Sequence, residues 1–279
     1  MDGRHMPNCR TSRVGTSTIA NFRCAVIICL VSLPVSALAQ ISLETIPSWR
    51  PARNELLITV RNSGPSTAYQ VRLEISVAGR TWEGIAQDMV LSKRYYREMF
   101  NIELDEKARR TPVIITVRYS DDAGYMCSAV NVAPLGLHSA EVPDIRGKVD
   151  SVKINDKATI EAVFYNGTAA EVAGTLRFVG TDELAAGIAS VPISLAAGAK
   201  QRVMVPISNL AGRPGSRYRN FLMIETEDAS GMTDFVTVPV MVSIAGKGGS
   251  LSTMKIVTGS CLMLLTLLLS CVTRNLYKG

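Results

Sequence analysis

The sequence predicts an all-β protein: two tandem β-sandwich domains, residues 41–140 and 148–245, followed by one C-terminal transmembrane helix. Three observations carry that expectation. Apolar and polar residues alternate with period two through the middle of the chain. The pattern recurs at an offset near 104 residues, and an uncharged apolar run lies close to the end.

The alternation is clearest in three runs. Val71, Leu73, Ile75 and Val77 alternate with Arg72, Glu74 and Ser76; Phe100, Ile102 and Leu104 alternate with Asn101 and Glu103; Val236, Val238, Val240, Val242 and Ile244 alternate with Thr237, Pro239, Met241 and Ser243. Period two sends successive side chains to opposite faces, one toward a core and one toward water. Turn-forming clusters separate the runs: Asn62-Ser63-Gly64-Pro65, Asp121-Asp122-Ala123-Gly124, Asn166-Gly167, Ala197-Gly198 and Ser230-Gly231. No stretch of 41–250 carries a convincing helical period. Short strands between regularly spaced turns predict a sandwich.

The sandwich pattern occurs twice. Leu56–Val60 leads into Arg61-Asn62-Ser63-Gly64 and the strand 71–77, as Thr159–Phe164 leads into Tyr165-Asn166-Gly167-Thr168 and the strand 172–179. Val113–Tyr119 runs into an Asp/Gly turn at 121–124, as Phe221–Thr226 runs into one at 228–231. The offset is 104 at the Asn and 107 at Gly124 and Gly231. Two matches at nearly one offset define a repeat, and its length is that of one immunoglobulin-like domain. The Pro- and Gly-bearing stretch Ala133–Gly147 is the expected boundary, and 246–254 a flexible linker.

The ends predict export and anchoring. Arg4, Arg10, Arg13 and Arg23 precede the apolar run Cys24–Leu33, and an Ala-x-Ala ending follows, which describes a signal peptide over 1–39 cleaved between Ala39 and Gln40. Ile256–Val272 is an uncharged run of 17 residues within a spanning segment at 255–272, the lower limit of spanning length. The tail 273–279, with Arg274 and Lys278, is expected in the cytoplasm, although Lys247 and Lys255 on the other side weaken that signal.

The net charge of +6 misleads. Seven of the 30 Lys/Arg and one of the 24 Asp/Glu lie outside 41–250, so that segment holds 23 of each and is neutral. A nucleic-acid-binding domain concentrates base in its folded part, so no nucleic-acid partner is expected. Of six cysteines only Cys127 lies in the folded region, so no internal disulfide is expected and stability must come from core burial.

An apolar strand, an Asn/Gly turn, a second apolar strand, then Ser194-Leu195-Ala196-Ala197-Gly198 and a final hairpin with Asp and Gly together resemble the CARDB and NEW3 group of bacterial and archaeal immunoglobulin-like modules. The resemblance covers both domains and is closer in the second; in the first, Met89–Arg94 stands where the Leu-x-x-Gly element belongs. It implies adhesion, spacer or binding roles on exported proteins and no reaction.

No catalytic constellation emerges. His5 leaves with the signal, and His138 alone sits in the linker. No zinc spacing, Gly-x-Ser-x-Gly, Walker or dinucleotide motif is present, so no cofactor or metal is expected. Asp121 and Asp122 with Asp228 suggest calcium, but Asp and Gly also build the β-turns this fold needs. Glu225, Glu227 and Asp228 read as a solvated edge, and the scattered Met126, Met204, Met223, Met232 and Met241 as packing residues. Asn166-Gly167-Thr168 matches a glycosylation sequon that a bacterial protein leaves unmodified.

Two basic-aromatic groups are candidate binding surfaces: Arg94, Tyr95 and Arg97 in the first domain, and Arg217, Tyr218 and Arg219, with Arg213, in a loop of the second. The plainer reading of the first is an edge strand protected by charge. Alternation through Phe100 puts Tyr96 on the core face and Tyr95 and Arg97 outside. The expected role is a non-enzymatic, single-pass protein of the bacterial cell membrane, with its domains on the periplasmic or extracellular side, that binds an envelope protein or polysaccharide. An accessory subunit of a membrane enzyme or transporter, and a surface protein with a processed sorting tail, are the other readings.

Overall fold

The computed structural model describes residues 41–104, 110–136, 144–227 and 233–245. These lie in one compact unit within Ala39–Gly279. The expected signal peptide and its Ala39–Gln40 cleavage site, His138, Asp228, the 246–254 linker, the spanning segment and the tail lie outside the described residues. Among the described residues, no helix is long and apolar enough to cross a membrane.

The described part is all-β, with one 3-10 turn at Pro51–Arg53. Four sheets form two sandwiches. In the first, β1 (Leu43–Arg50), β2 (Glu55–Asn62) and β6 (Tyr95–Asn101) make sheet I in that order. Sheet II runs β4 (Arg80–Glu83), β3 (Ala68–Val77), β7 (Thr111–Ser120) and β8 (Met126–Leu135), with β5 (Gln87–Val90) also pairing β3. Leu56, Ile58 and Val60 of sheet I meet Leu73, Ile75, Ile115 and Val117 of sheet II in one core. The alternate residues Thr59 and Arg61 face away, as period two requires. Ala78 and Gly79 join β3 to β4 with φ of 47° and 77°, the left-handed pair that a two-residue hairpin needs to match strand twist.

The second sandwich repeats this order. Sheet IV holds β9 (Ile145–Val149), β11 (Lys157–Asn166), β15 (Lys200–Asn209) and β13 (Leu184–Ala186). Sheet III holds β14 (Val191–Leu195), β12 (Val172–Val179), β16 (Arg217–Glu227), β17 (Thr233–Ile244) and β10 (Val152–Ile154), the last parallel to β17. Ile160, Ala162 and Phe164 of sheet IV pack on Leu176, Leu222 and Val240 of sheet III.

Two strands break the repeat: β10 has no counterpart among the described residues of the first sandwich, and β13 joins a different sheet. After β3, the chain forms β4, which pairs with β3 in sheet II. After β12, the chain forms β13 at the same point in the order, but β13 crosses to sheet IV and pairs with β15.

The repeat has an atomic signature. Asn62 and Asn166 end β2 and β11, and both are fully buried. The Asn62 side-chain nitrogen donates to Ser66 O (2.7 Å) and Val90 O (3.0 Å), and its oxygen accepts from Gly64 N–H (3.1 Å). Asn166 donates to Ala170 O (2.8 Å) and Leu195 O (2.9 Å) and accepts from Thr168 N–H (2.9 Å). Each Asn satisfies backbone groups that would otherwise be buried unpaired.

Two sequence expectations need correction. The second domain begins at Ile145, three residues before the expected 148, because Ile145 is buried in its core and starts a strand. Gly147, read as linker punctuation, is a strand glycine: any Cβ there would strike Val238 and Phe164. Ala133 and Leu135 likewise belong to the core of the first domain.

Candidate functional site

Sheets II and III bury part of their outer faces against each other. Ile114 of β7 and Val130 and Val132 of β8 meet Val179 of β12, Phe221 and Met223 of β16 and Phe235 of β17. In β16 this covers both faces, so Phe221, Leu222, Met223 and Ile224 are all buried in succession.

Polar contacts ring that seam. Glu183, between β12 and β13 and 3% exposed, accepts from Ser128 N–H (2.6 Å) and Ser128 Oγ (2.7 Å). Ser128 Oγ also accepts from Asp182 N–H (2.8 Å). Arg110 donates to Asp234 Oδ1 (2.7 Å) and Phe235 O (2.7 Å). Arg118 of β7 bridges Asp182 (2.6 Å) across the seam and Glu74 (2.6 Å) within its own sheet. Those two hydrogen bonds, Asp182 first, push the Arg118 guanidinium further up and hold it charged. Arg213 donates to Asp121 Oδ2 (2.5 Å), and its guanidinium lies 4.1 Å from the Tyr125 ring centroid. A buried carboxylate with its acceptors filled, together with a dry apolar patch, fixes the two sandwiches as one body.

Asp121 is therefore committed. Its Oδ1 accepts from Ala123 N–H (3.0 Å) and Tyr125 N–H (2.9 Å), which builds the turn, and its Oδ2 holds Arg213. Among the described residues no cluster of three His, Cys, Asp or Glu is placed to hold a metal. Asn166, the sequon residue, is buried and hydrogen-bonded at both side-chain atoms. Cys127 is free and half-buried. Burial first, then Glu183 and Asp121, push its thiol up against the opposing pull of Arg213.

The first basic-aromatic group lies on the outer face of sheet I. Tyr95 is 58% exposed and Arg97 is exposed, with the guanidinium 5.1 Å from the Tyr95 ring centroid. Across the sheet Tyr95 faces Arg61, Arg97 faces Thr59 and Met99 faces Leu57. Arg94, also exposed, closes the turn before β6 by donating its N–H to Leu91 O (3.1 Å). Tyr96 turns inward and packs on the core, and burial, then Glu98, push its hydroxyl up. Among the described residues β6 is the last strand of its sheet.

The second group does not form the expected loop. Arg217, Tyr218 and Arg219 open β16, where alternation leaves the two arginines exposed and buries Tyr218 at 7% exposure. Tyr218 is thus a core residue of the second sandwich and no part of a binding surface. Arg213, the one member on a loop, is held by Asp121 and Tyr125. The seam residues Ser128, Asp182, Glu183 and Asp234 were not legible as a site from sequence. The available signal was the four-residue apolar run of β16, too continuous for a strand with one wet face.

A cleft of about 400 Å³ in the first sandwich is lined by Arg53, Asn54, Arg80, Trp82 and residues 101–103.

No protein-family model matches the chain, and no curated protein matches it. Solved structures with similarity are remote. Salmonella alpha-2-macroglobulin reacted with methylamine is 11% identical with a TM-score of 0.30, over 74% of this chain and 16% of that one. Escherichia coli alpha-2-macroglobulin activated by porcine elastase is 8% identical with a TM-score of 0.28, over 76% and 22%. Red sea bream transglutaminase is 14% identical with a TM-score of 0.24, over 71% and 31%. The chain spans less than a third of each, and at these scores the likeness carries no argument about function.

Proposed function

We propose that this chain is a non-enzymatic, membrane-anchored envelope protein whose tandem immunoglobulin-like domains hold a partner protein or polysaccharide outside the cytoplasm. The observation that carries the reading is the placement of Tyr95 and Arg97. The seam covers part of the outer faces of sheets II and III, whereas the outer face of sheet I carries an exposed Tyr–Arg pair on the same strand as the exposed Met99. Tyr brings rigid contact area with little entropy to lose, and Arg brings directional hydrogen bonds. The strand order of each sandwich supports the immunoglobulin-like assignment, and the Asn/Gly turns support kinship with the CARDB and NEW3 modules. The signal-like start and the apolar run 256–272 support export and a single anchor.

The test compares crosslinked partners of the wild type with those of the Tyr95→Ala/Arg97→Ala variant in membranes. The reading requires at least one partner to be lost while the protein level holds. If every adduct survives, the face is a charged edge and the reading fails.

A further inference from the structure

The strand that changes sheets leaves a vacancy. In the second sandwich β13 lies antiparallel on β15, with Leu184 opposite Asn209, Ala185 opposite Ser208 and Ala186 opposite Ile207. Gly187 N–H donates to Pro206 O (2.8 Å), Leu210 N–H donates to Glu183 O (2.8 Å), and the Leu184 side chain is buried in the core. In the first sandwich the corresponding strand, β4, is paired with β3, so this slot has no strand of its own among the described residues.

The equivalent edge is identified by the Asn anchors. Asn62 N–H donates to Arg94 O, and Asn166 N–H donates to Ala199 O, so β6 and β15 correspond at an offset of 105. Pro206 and Ser208 therefore match Asn101 and Glu103. Ile102 N–H donates to Asn54 O (2.8 Å), toward β2. Backbone groups alternate sides along an extended strand, so Asn101 and Glu103 turn theirs to the edge away from β2, which has no partner strand among the described residues. The cleft of about 400 Å³ is lined by both Asn101 and Glu103. Its lining includes two guanidiniums, Arg53 and Arg80, and the indole of Trp82, against the single carboxylate of Glu103.

We propose that this cleft is a strand-addition site for an extended acidic peptide segment of a partner protein. The segment lies antiparallel along residues 101–103, as β13 lies along β15. Its backbone bonds to Asn101 and Glu103, an apolar side chain sits on Trp82, and carboxylates meet Arg53 and Arg80. Unpaired edges are templates for a further strand, main-chain bonds give the affinity and the pocket sets the choice. Arg favours carboxylate through paired N–H donors. Tyr95 and Arg97 do not line this cleft, so failure of either site leaves the other standing.

The probe is a fluorescein-labelled synthetic peptide copying residues 181–187, Thr-Asp-Glu-Leu-Ala-Ala-Gly, the acidic segment that contains β13. It is titrated by anisotropy into the full-length protein at low salt. Saturable binding is expected. Arg53→Ala/Arg80→Ala should raise the Kd at least tenfold, and Glu103→Pro, which removes an edge N–H without touching the β2 pairing, should do the same, with the melting temperature kept. A peptide carrying Ala185→Pro should also bind at least tenfold more weakly, which tests the backbone pairing without altering the protein. No saturable binding to wild type at millimolar peptide overturns the proposal. So does an unchanged Kd with the folded double-arginine variant or with the proline peptide.

Discussion

Asn62 and Asn166 make the same hydrogen bonds from the same depth of two different sandwiches. Each ties the end of one strand to a turn carbonyl four residues on and to a carbonyl about 28 residues away in the next sheet strand. The two domains thus share a local solution to one problem: satisfying the backbone where the chain leaves one sheet for the other.

Asn62→Ala should destabilise the folded region by about 2–4 kcal/mol, because it orphans two buried carbonyls and one N–H at once. Asn166→Ala should cost about the same. Urea unfolding checks both, and a loss under about 0.5 kcal/mol in either would show that water replaces the amide.

Glu183→Ala should weaken the seam more than any exposed ion-pair deletion, since it strands Ser128 N–H and Oγ in a dry site. In calorimetry, residues 41–245 should melt in one transition, and the variant should separate into two. A single unchanged transition would mean that the apolar patch alone holds the domains together.

Cys127 should react slowly. Only the thiolate is nucleophilic, and burial lowers its fraction at a given pH. Alkylation by iodoacetamide at pH 8, mapped by mass spectrometry, should be several-fold slower than for a free cysteine. Arg213→Ala, which removes the one charge favouring the thiolate, should slow it further. A rate equal to that of the free amino acid contradicts the burial account.

A reporter active only outside the cytoplasm should work when fused after Gly246 and be silent after Lys278. Activity at both positions would mean that the segment 255–272 does not span.

Much of the fold was legible because its rules are local. Period two placed Val71, Leu73, Ile75 and Val77 inward, and all four are buried. It also placed Tyr96 inward and Tyr95 outward. Boundaries were less legible, because Gly147 signals a turn in sequence but serves a close strand contact in space. Tyr218 is hard to place from sequence, because an Arg-rich segment has the composition of a loop whereas Arg-Tyr-Arg is also the start of an alternating strand. The seam was hidden because Ser128 and Glu183 are 55 residues apart and each is ordinary in its own neighbourhood. The exchange of β4 for β13 was hidden too, since no pattern in either segment says which sheet it will join.

The most direct test of the proposed role is a photoreactive amino acid placed at position 95 in living cells. The outer face of sheet I predicts a discrete crosslinked partner from position 95 and none of the same size from position 200, the matching site on β15. No adduct at position 95, or the same adduct from both positions, would contradict a binding role for Tyr95 and Arg97.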